Sequence, residues 1–158
     1  MKRATLAVLT SLLLVASAIA SPTVDVLKPI HQFIDGFNKG DMASGFAAYA
    51  SSGDILIIDE FAPHSWSGPN AAHQWAEDYD KHSKATGVTD GIVKYGAPTR
   101  TVLDKDVAYV VLPTTYVYKE KGKPMTEQGQ MTFVLHQESA GWKITAWTWT
   151  GTKPQAKK

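Results

Sequence analysis

Asp59 and Glu60 close a run of four aliphatic residues, Ile55 to Ile58, and the segment from Phe61 to Gly68 then carries Trp66 to the start of a helix. On a strand of period two, Ile55, Ile57 and Asp59 share one face while Leu56, Ile58 and Glu60 share the other. One acid therefore points where the aliphatics point. A carboxyl group inside an apolar cavity is either a proton-transfer group or a paired structural one. The alternative is a strand that stops at Ile58 and leaves both acids in water.

Other side chains with chemistry to offer are aromatic or imidazole. Trp147 and Trp149 alternate onto one strand face, as do Leu112, Tyr116 and Tyr118, and each set would make a flat apolar wall with polar tips. Such a wall suits a ring-shaped or aliphatic ligand, or it fills the core of a small domain. Trp142 alternates onto the face opposite Trp147. His82 follows Tyr79 by one turn of a helix and is either a partner for Asp59 or an imidazole at a helix C-terminus. His73 and Glu77 have an i, i+4 metal-ligand spacing, but Lys81 and Lys84 share their stripe and no third ligand is evident, so no metal is expected. Gln128 and Gln130 share one face of a long strand and either orient the polar end of a ligand or lie on open sheet. His31, His64 and His136 suggest no role. The chain has no G-x-S-x-G, P-loop or H-E-x-x-H motif and no glycine-rich nucleotide turn, so no cofactor is expected.

The elements that must position these groups read as helices first and strands after. Val24, Leu27, Ile30, Phe33, Ile34 and Phe37 recur at spacings of three and four, predicting a helix over 24–38 in which Pro29 is tolerable only near the first turn. Gly40 and Asp41 suit a helix stop and a new N-cap, predicting a second helix from Met42 to Tyr49. A third runs from Gly68–Asn70 to Gly87 with Trp75, Tyr79 and His82 on one stripe. Beyond Gly91 the chain reads as an antiparallel meander of four strands, Ile92–Leu103, Val107–Tyr118, Met125–His136 and Trp142–Thr150. That order implies an α+β fold.

Residues 1–20 read as an export signal: Lys2 and Arg3 precede an apolar stretch, and Ala18 to Ala20 fits a cleavage site. The stretch is too short for a spanning helix of roughly 20 residues, so no membrane anchor is expected once it is cleaved. A periplasmic or secreted domain over 21–151 follows, with 152–158 as a flexible tail. The 158-residue chain has no cysteine, so its core folds without disulfides. Without Lys2 and Arg3 the basic residues fall one short of the 15 acidic ones. That balance carries no footprint for nucleic acid.

Five features together resemble the nuclear transport factor 2-like superfamily, in particular SnoaL-like and ketosteroid-isomerase-like domains. They are the turn from Phe37 to Asp41, the Tyr49 end of the second helix, the Asp59 strand, the lead-in from Trp66 to Gly68, and Gly141 to Ile144 opening the last strand. The resemblance implies a cone-shaped curved sheet wrapped around three N-terminal helices, with a pocket at the wide end. It places Asp59 where ketosteroid isomerases keep their proton-shuttling aspartate. It also places Phe33 where the isomerase has a tyrosine and Gln128 or Gln130 where it has a protonated aspartate. Losing one such donor costs roughly 100- to 1000-fold, so the usual isomerisation is not expected. The implied site has Asp59 as candidate base and Tyr49, Tyr79 and His82 as candidate donors. Phe33, Phe37, Ile57, Trp66, Trp75, Tyr116, Gln128, Gln130, Trp147 and Trp149 would surround a small apolar or ring-containing molecule. The first expectation is a binding domain, the second an isomerase, cyclase or dehydratase. The third is an assembly module, because relatives pair through the outer sheet face, where Tyr109, Val111 and Val117 would lie.

Overall fold

The computed structural model describes residues 22–51 and 53–157. The expected export signal lies outside the described residues.

Helix α1 (Pro22–Lys39) buries Val26, Ile30, Phe33 and Ile34 on one stripe. Pro29 lies in its interior rather than its first turn, at the cost of one backbone donor. The helix stops at Gly40, whose φ of 70° is the left-handed position glycine adopts freely. There the Gly40 N–H donates to Phe37 C=O at 3.0 Å and the Asp41 N–H to Gly36 C=O at 2.8 Å, a Schellman cap. Asp41 then caps α2 (Met42–Phe46), accepting from the Ser44 N–H at 3.1 Å. Helix α2 is shorter than expected. Past Phe46 the backbone turns to pair with a distant strand, the Ala50 N–H donating to Ile144 C=O and the Ile144 N–H to Ala48 C=O, each at 3.0 Å.

Strand β1 (Ile55–Ile58) forms a hairpin with β2 (Ser65–Gly68). Helix α3 (Ala71–Thr86) follows and ends on left-handed Gly87. The strand expected over 92–103 is two strands, β3 (Val88–Tyr95) and β4 (Arg100–Asp104), broken around Gly96 and Pro98. Both pair with the same long strand β5 (Val107–Glu120), which pairs with β6 (Lys123–Glu138), and β6 in turn with β7 (Gly141–Gly151).

The sheet runs β2-β1-β7-β6-β5-β3, and β1 lies parallel to β7. It is therefore a curved, unclosed mixed sheet rather than a pure antiparallel meander. The segment 152–158, expected as a flexible tail, contains β8 (Gln155–Ala156), paired with Met125 and Thr126.

The helices fill the hollow of the sheet. Asn38 on α1 clasps β3 through both ends of its amide, donating to Val93 C=O at 2.9 Å and accepting from the Val93 N–H at 2.8 Å. Tyr95 stacks on His31 and donates to Asp35 Oδ1 at 3.1 Å. One apolar cluster joins α1, α3 and the inner faces of β1, β5, β6 and β7. An extra residue in β7, between the pairs Val134–Ala146 and Leu135–Ile144, resets the alternation. Trp142 consequently packs against the core on the same side as Trp147, not opposite it.

Candidate functional site

A cavity of about 360 Å³ opens between α1, α3 and the flared ends of β5, β6 and β7. Its floor and walls are rings. Phe33 and Phe37 come from α1, Trp75 and Tyr79 from α3, Tyr116 and Tyr118 from β5, and Trp147 and Trp149 from β7. Trp75 stands edge-on to Trp147 with centroids 5.2 Å apart, while Tyr116 and Tyr118 stack at 4.7 Å. These geometries match the ring quadrupole, which favours edge-to-face and offset contacts.

Asp59 follows β1 and keeps the inward phase of the buried Ile55 and Ile57. Trp75 Nε1 donates to its Oδ2 at 2.8 Å, and the Glu60 N–H donates to Oδ1 at 2.7 Å. Burial pushes its carboxyl up from 3.8 to about 6, with the charge of Glu60 adding to the rise. The two hydrogen bonds and the attraction of His82 lower it, without cancelling the burial.

Glu60 also lines the cavity, although period two sends it to the other face. The strand ends at Ile58, and the Asp59 N–H reaches across a turn to His64 C=O at 3.1 Å, so alternation stops there. Behind Glu60 lies Glu127 of β6, only 1% exposed. Its Oε1 accepts a long 3.4 Å hydrogen bond from Trp149 Nε1, and the Glu60 carboxyl is its acidic neighbour. Burial first, then Glu127, raises Glu60 to about 7. Burial and the charge of Asp59 raise Glu127 as well.

On the opposite wall the hydroxyls of Tyr79 and Tyr116 meet at 2.5 Å. Burial, then the neighbouring Tyr79, raises the Tyr116 hydroxyl above its usual range. Gly91 of β3 makes room for the pair, since a Cβ there would lie 3.0 Å from the Tyr79 hydroxyl and closer still to that of Tyr116. His82 lines the mouth beside Phe61, with centroids 5.2 Å apart.

Of the sequence-derived site residues, Asp59, Tyr79, His82, Phe33, Phe37, Trp75, Tyr116, Trp147 and Trp149 line this cavity. The others do not. Tyr49 is buried with its hydroxyl accepting from Trp147 Nε1 at 2.7 Å, beneath the floor. Ile57 is fully enclosed in the core, and Trp66 is turned to α3, where its Nε1 donates to Asp78 Oδ2 at 3.0 Å. Gln128 and Gln130 are exposed on the outer face, with Gln128 Oε1 accepting from Thr115 Oγ1 at 2.9 Å. Strand β6 turns Glu127, Gly129, Met131, Phe133 and Leu135 inward instead. The run Met131, Phe133, Leu135 carries that phase in the sequence, and extending it backwards reaches Glu127. Phe61 and Met131 also line the cavity without having been expected to. Among the described residues no three His, Asp or Glu side chains converge as metal ligands; His73 and Glu77 are exposed.

The SnoaL-like domain family matches residues 26–148. The chain belongs to that family. Solved structures agree with this SnoaL-like domain in fold. A nuclear transport factor 2-like superfamily protein from Salmonella enterica serovar Typhimurium superposes with a TM-score of 0.68 at 16% identity, covering 82% of this chain and 90% of its own. A ketosteroid isomerase-like protein from Erwinia carotovora atroseptica gives 0.64 at 18%, covering 85% and 99%. A type 3 hexachlorocyclohexane dehydrochlorinase from Novosphingobium barchaimii gives 0.71 at 11%, covering 85% and 89%. At such identities the likeness is one of fold, which hosts many activities. Among curated proteins nothing matches the chain.

Proposed function

We propose that this SnoaL-like domain binds a small molecule with a ring-containing or aliphatic body, whose polar end meets Asp59. The observation that carries this reading is the cavity itself. Aromatic faces from four separate elements converge around the partly buried carboxyl of Asp59, the usual composition of a small-molecule site. Trp75, Trp147 and Trp149 line it, so ligand entry is expected to change tryptophan emission. Titration of the purified protein with sterol-like, aromatic and aliphatic compounds tests the reading, and flat traces across the panel would reject it.

A second reading is favoured by Asp59. A carboxyl poised near pH 6 is suited to take a proton from a carbon beside a carbonyl and return it elsewhere. The Tyr79–Tyr116 pair, or His82, would donate to the developing oxyanion. Turnover of an enone or β-hydroxy ketone that is lost in Asp59→Asn supports isomerase or lyase chemistry; turnover unchanged by that substitution removes it.

Export and pairing complete the proposal. Residues 1–20 direct the chain to the periplasm or exterior, and the mass of the exported product should begin at Ser21. On the outer sheet face Val102, Tyr109, Val134, Ala146 and Leu56 sit side by side across five strands. Val102, Tyr109 and Leu56 are 41%, 40% and 44% exposed, which favours a homodimer through this row. Sedimentation showing a monomer at micromolar concentration would end that part.

A further inference from the structure

We propose that the molecule bound in this cavity is an organic cation, a protonated or quaternary amine whose nitrogen sits against Asp59 and Glu60, with Glu127 behind them, while its body lies on the tryptophan and tyrosine faces. This deepens the binding reading and rests on it.

The charge of the lining is one-sided. Asp59, Glu60 and Glu120 all contribute to it, and His82 is its one basic side chain among the described residues. The chain as a whole is close to neutral, so this is local design rather than an acidic surface. The independent sign is Glu127. It is 1% exposed, yet its Oε2 accepts no hydrogen bond from any N–H or hydroxyl among the described residues. A buried carboxyl ordinarily has a counter-charge or a full set of donors. Here the chain offers a weak indole contact and, as the nearest charged neighbour, a second acid, Glu60. Burial favours the protonated, uncharged form of both acids. A cation brought from outside supplies what the chain lacks.

The rings point to the same class of ligand. Tryptophan and tyrosine faces carry negative quadrupole density and attract ammonium groups, most strongly when the site is shielded from water. Trp149 touches both requirements, presenting its ring to the cavity and its N–H to Glu127.

Proton linkage follows. The groups facing the charge are Asp59 and Glu60 after β1, Tyr79 and His82 on α3, and Tyr116, Tyr118 and Glu120 on β5, with Glu127 on β6 behind Glu60. A bound cation favours ionised carboxylates, so binding releases protons and tightens as pH rises through about 6 to 7, where Asp59 and Glu60 titrate.

The test compares phenyltrimethylammonium with its uncharged isostere tert-butylbenzene by tryptophan emission of the purified protein at pH 5.5 and 8. Expected at pH 8 is an affinity for the cation about tenfold or more above that for the isostere, shrinking at pH 5.5. Glu60→Gln and Glu127→Gln should each remove most of that advantage of cation over isostere. Glu60, the more open residue, keeps the test alive if the buried Glu127 variant unfolds. Binding of the isostere as tight as that of the cation overturns this inference and leaves the binding reading standing. Binding of neither compound overturns the inference, and the fluorescence panel then decides the binding reading by itself.

Discussion

Trp75 donates its indole N–H to Asp59 Oδ2 across 2.8 Å, so the helix that supplies the aromatic wall also holds the acid in place. A donor to a carboxylate stabilises its charged form. Replacing Trp75 by Phe keeps a ring in the wall but removes that donor, and Asp59 is expected to titrate higher than about 6. Carbon-13 NMR of labelled aspartate carboxyls reads the midpoint directly. A midpoint that stays put or falls would show that the indole does not hold the charge.

The acids at the cavity should also make folding depend on pH in an unusual direction. Asp59 and Glu60 titrate at about 6 and about 7 in the folded chain, above their ordinary 3.8 and 4.5, and Glu127 is raised too. Between roughly pH 4 and 7 the folded chain therefore holds protons that the unfolded chain has released. Stability from these groups is full below pH 4 and is lost as pH climbs through 6 and 7. Asp59 alone accounts for about 3 kcal/mol of that loss, at about 1.4 kcal/mol per pH unit. Asp78, lowered by hydrogen bonds from Trp66 and Lys81, acts in the opposite sense but only near and below pH 4. Urea denaturation is expected to give a higher midpoint at pH 4.5 than at pH 8, with the difference reduced in Asp59→Asn. A midpoint that rises with pH would mean the carboxyls are not raised.

How far this arrangement was legible in the sequence follows from where periodicity persists. Helices α1 and α3, their glycine stops and the long strands β5, β6 and β7 carry local signals that persist along each element. The inward phase of Asp59 extends the alternation of Ile55 and Ile57, which β1 obeys up to its last residue. What local pattern did not reveal is where alternation is interrupted. Glu60 turns inward because the strand has already ended, and Trp142 does so because β7 contains one extra residue. Gln128 and Gln130 differ from these. Their outward phase was readable from Met131, Phe133 and Leu135, but the polar end of β6 offered no apolar residue to mark it. The parallel pairing of β1 with β7 joins residues about ninety apart, and only the closed core specifies it.

Tyr49 belongs to the support of the site rather than to its chemistry. Its hydroxyl accepts from Trp147 Nε1 at 2.7 Å in a fully buried contact, and its ring packs edge-on to Phe33. Tyr49→Phe leaves the indole N–H without an acceptor, which costs about 1–3 kcal/mol. Urea unfolding should show that loss, while affinity for any cavity ligand stays within about twofold, because Tyr49 does not line the cavity. A large loss of affinity with no loss of stability would return Tyr49 to the role of a donor to the ligand.

Gly151 at the end of β7 is where the backbone makes room for the acid. A Cβ there would collide with the Glu127 carboxyl and stand 2.6 Å from Trp149 Nε1. Trp149 already covers Gly129, where a Cβ would meet its ring at 2.8 Å, and Glu127 is enclosed, so the indole could retreat only into the cavity. Gly151→Ala should therefore break the Trp149–Glu127 contact and lower stability by about 1–3 kcal/mol, the usual range for overpacking. Loss of the indole partner should also change the emission of Trp149, which Trp149→Phe in the same background identifies. Unfolding and emission both unchanged would mean that Glu127 does not lie over this glycine, and the acid end of the cavity would then need a different arrangement.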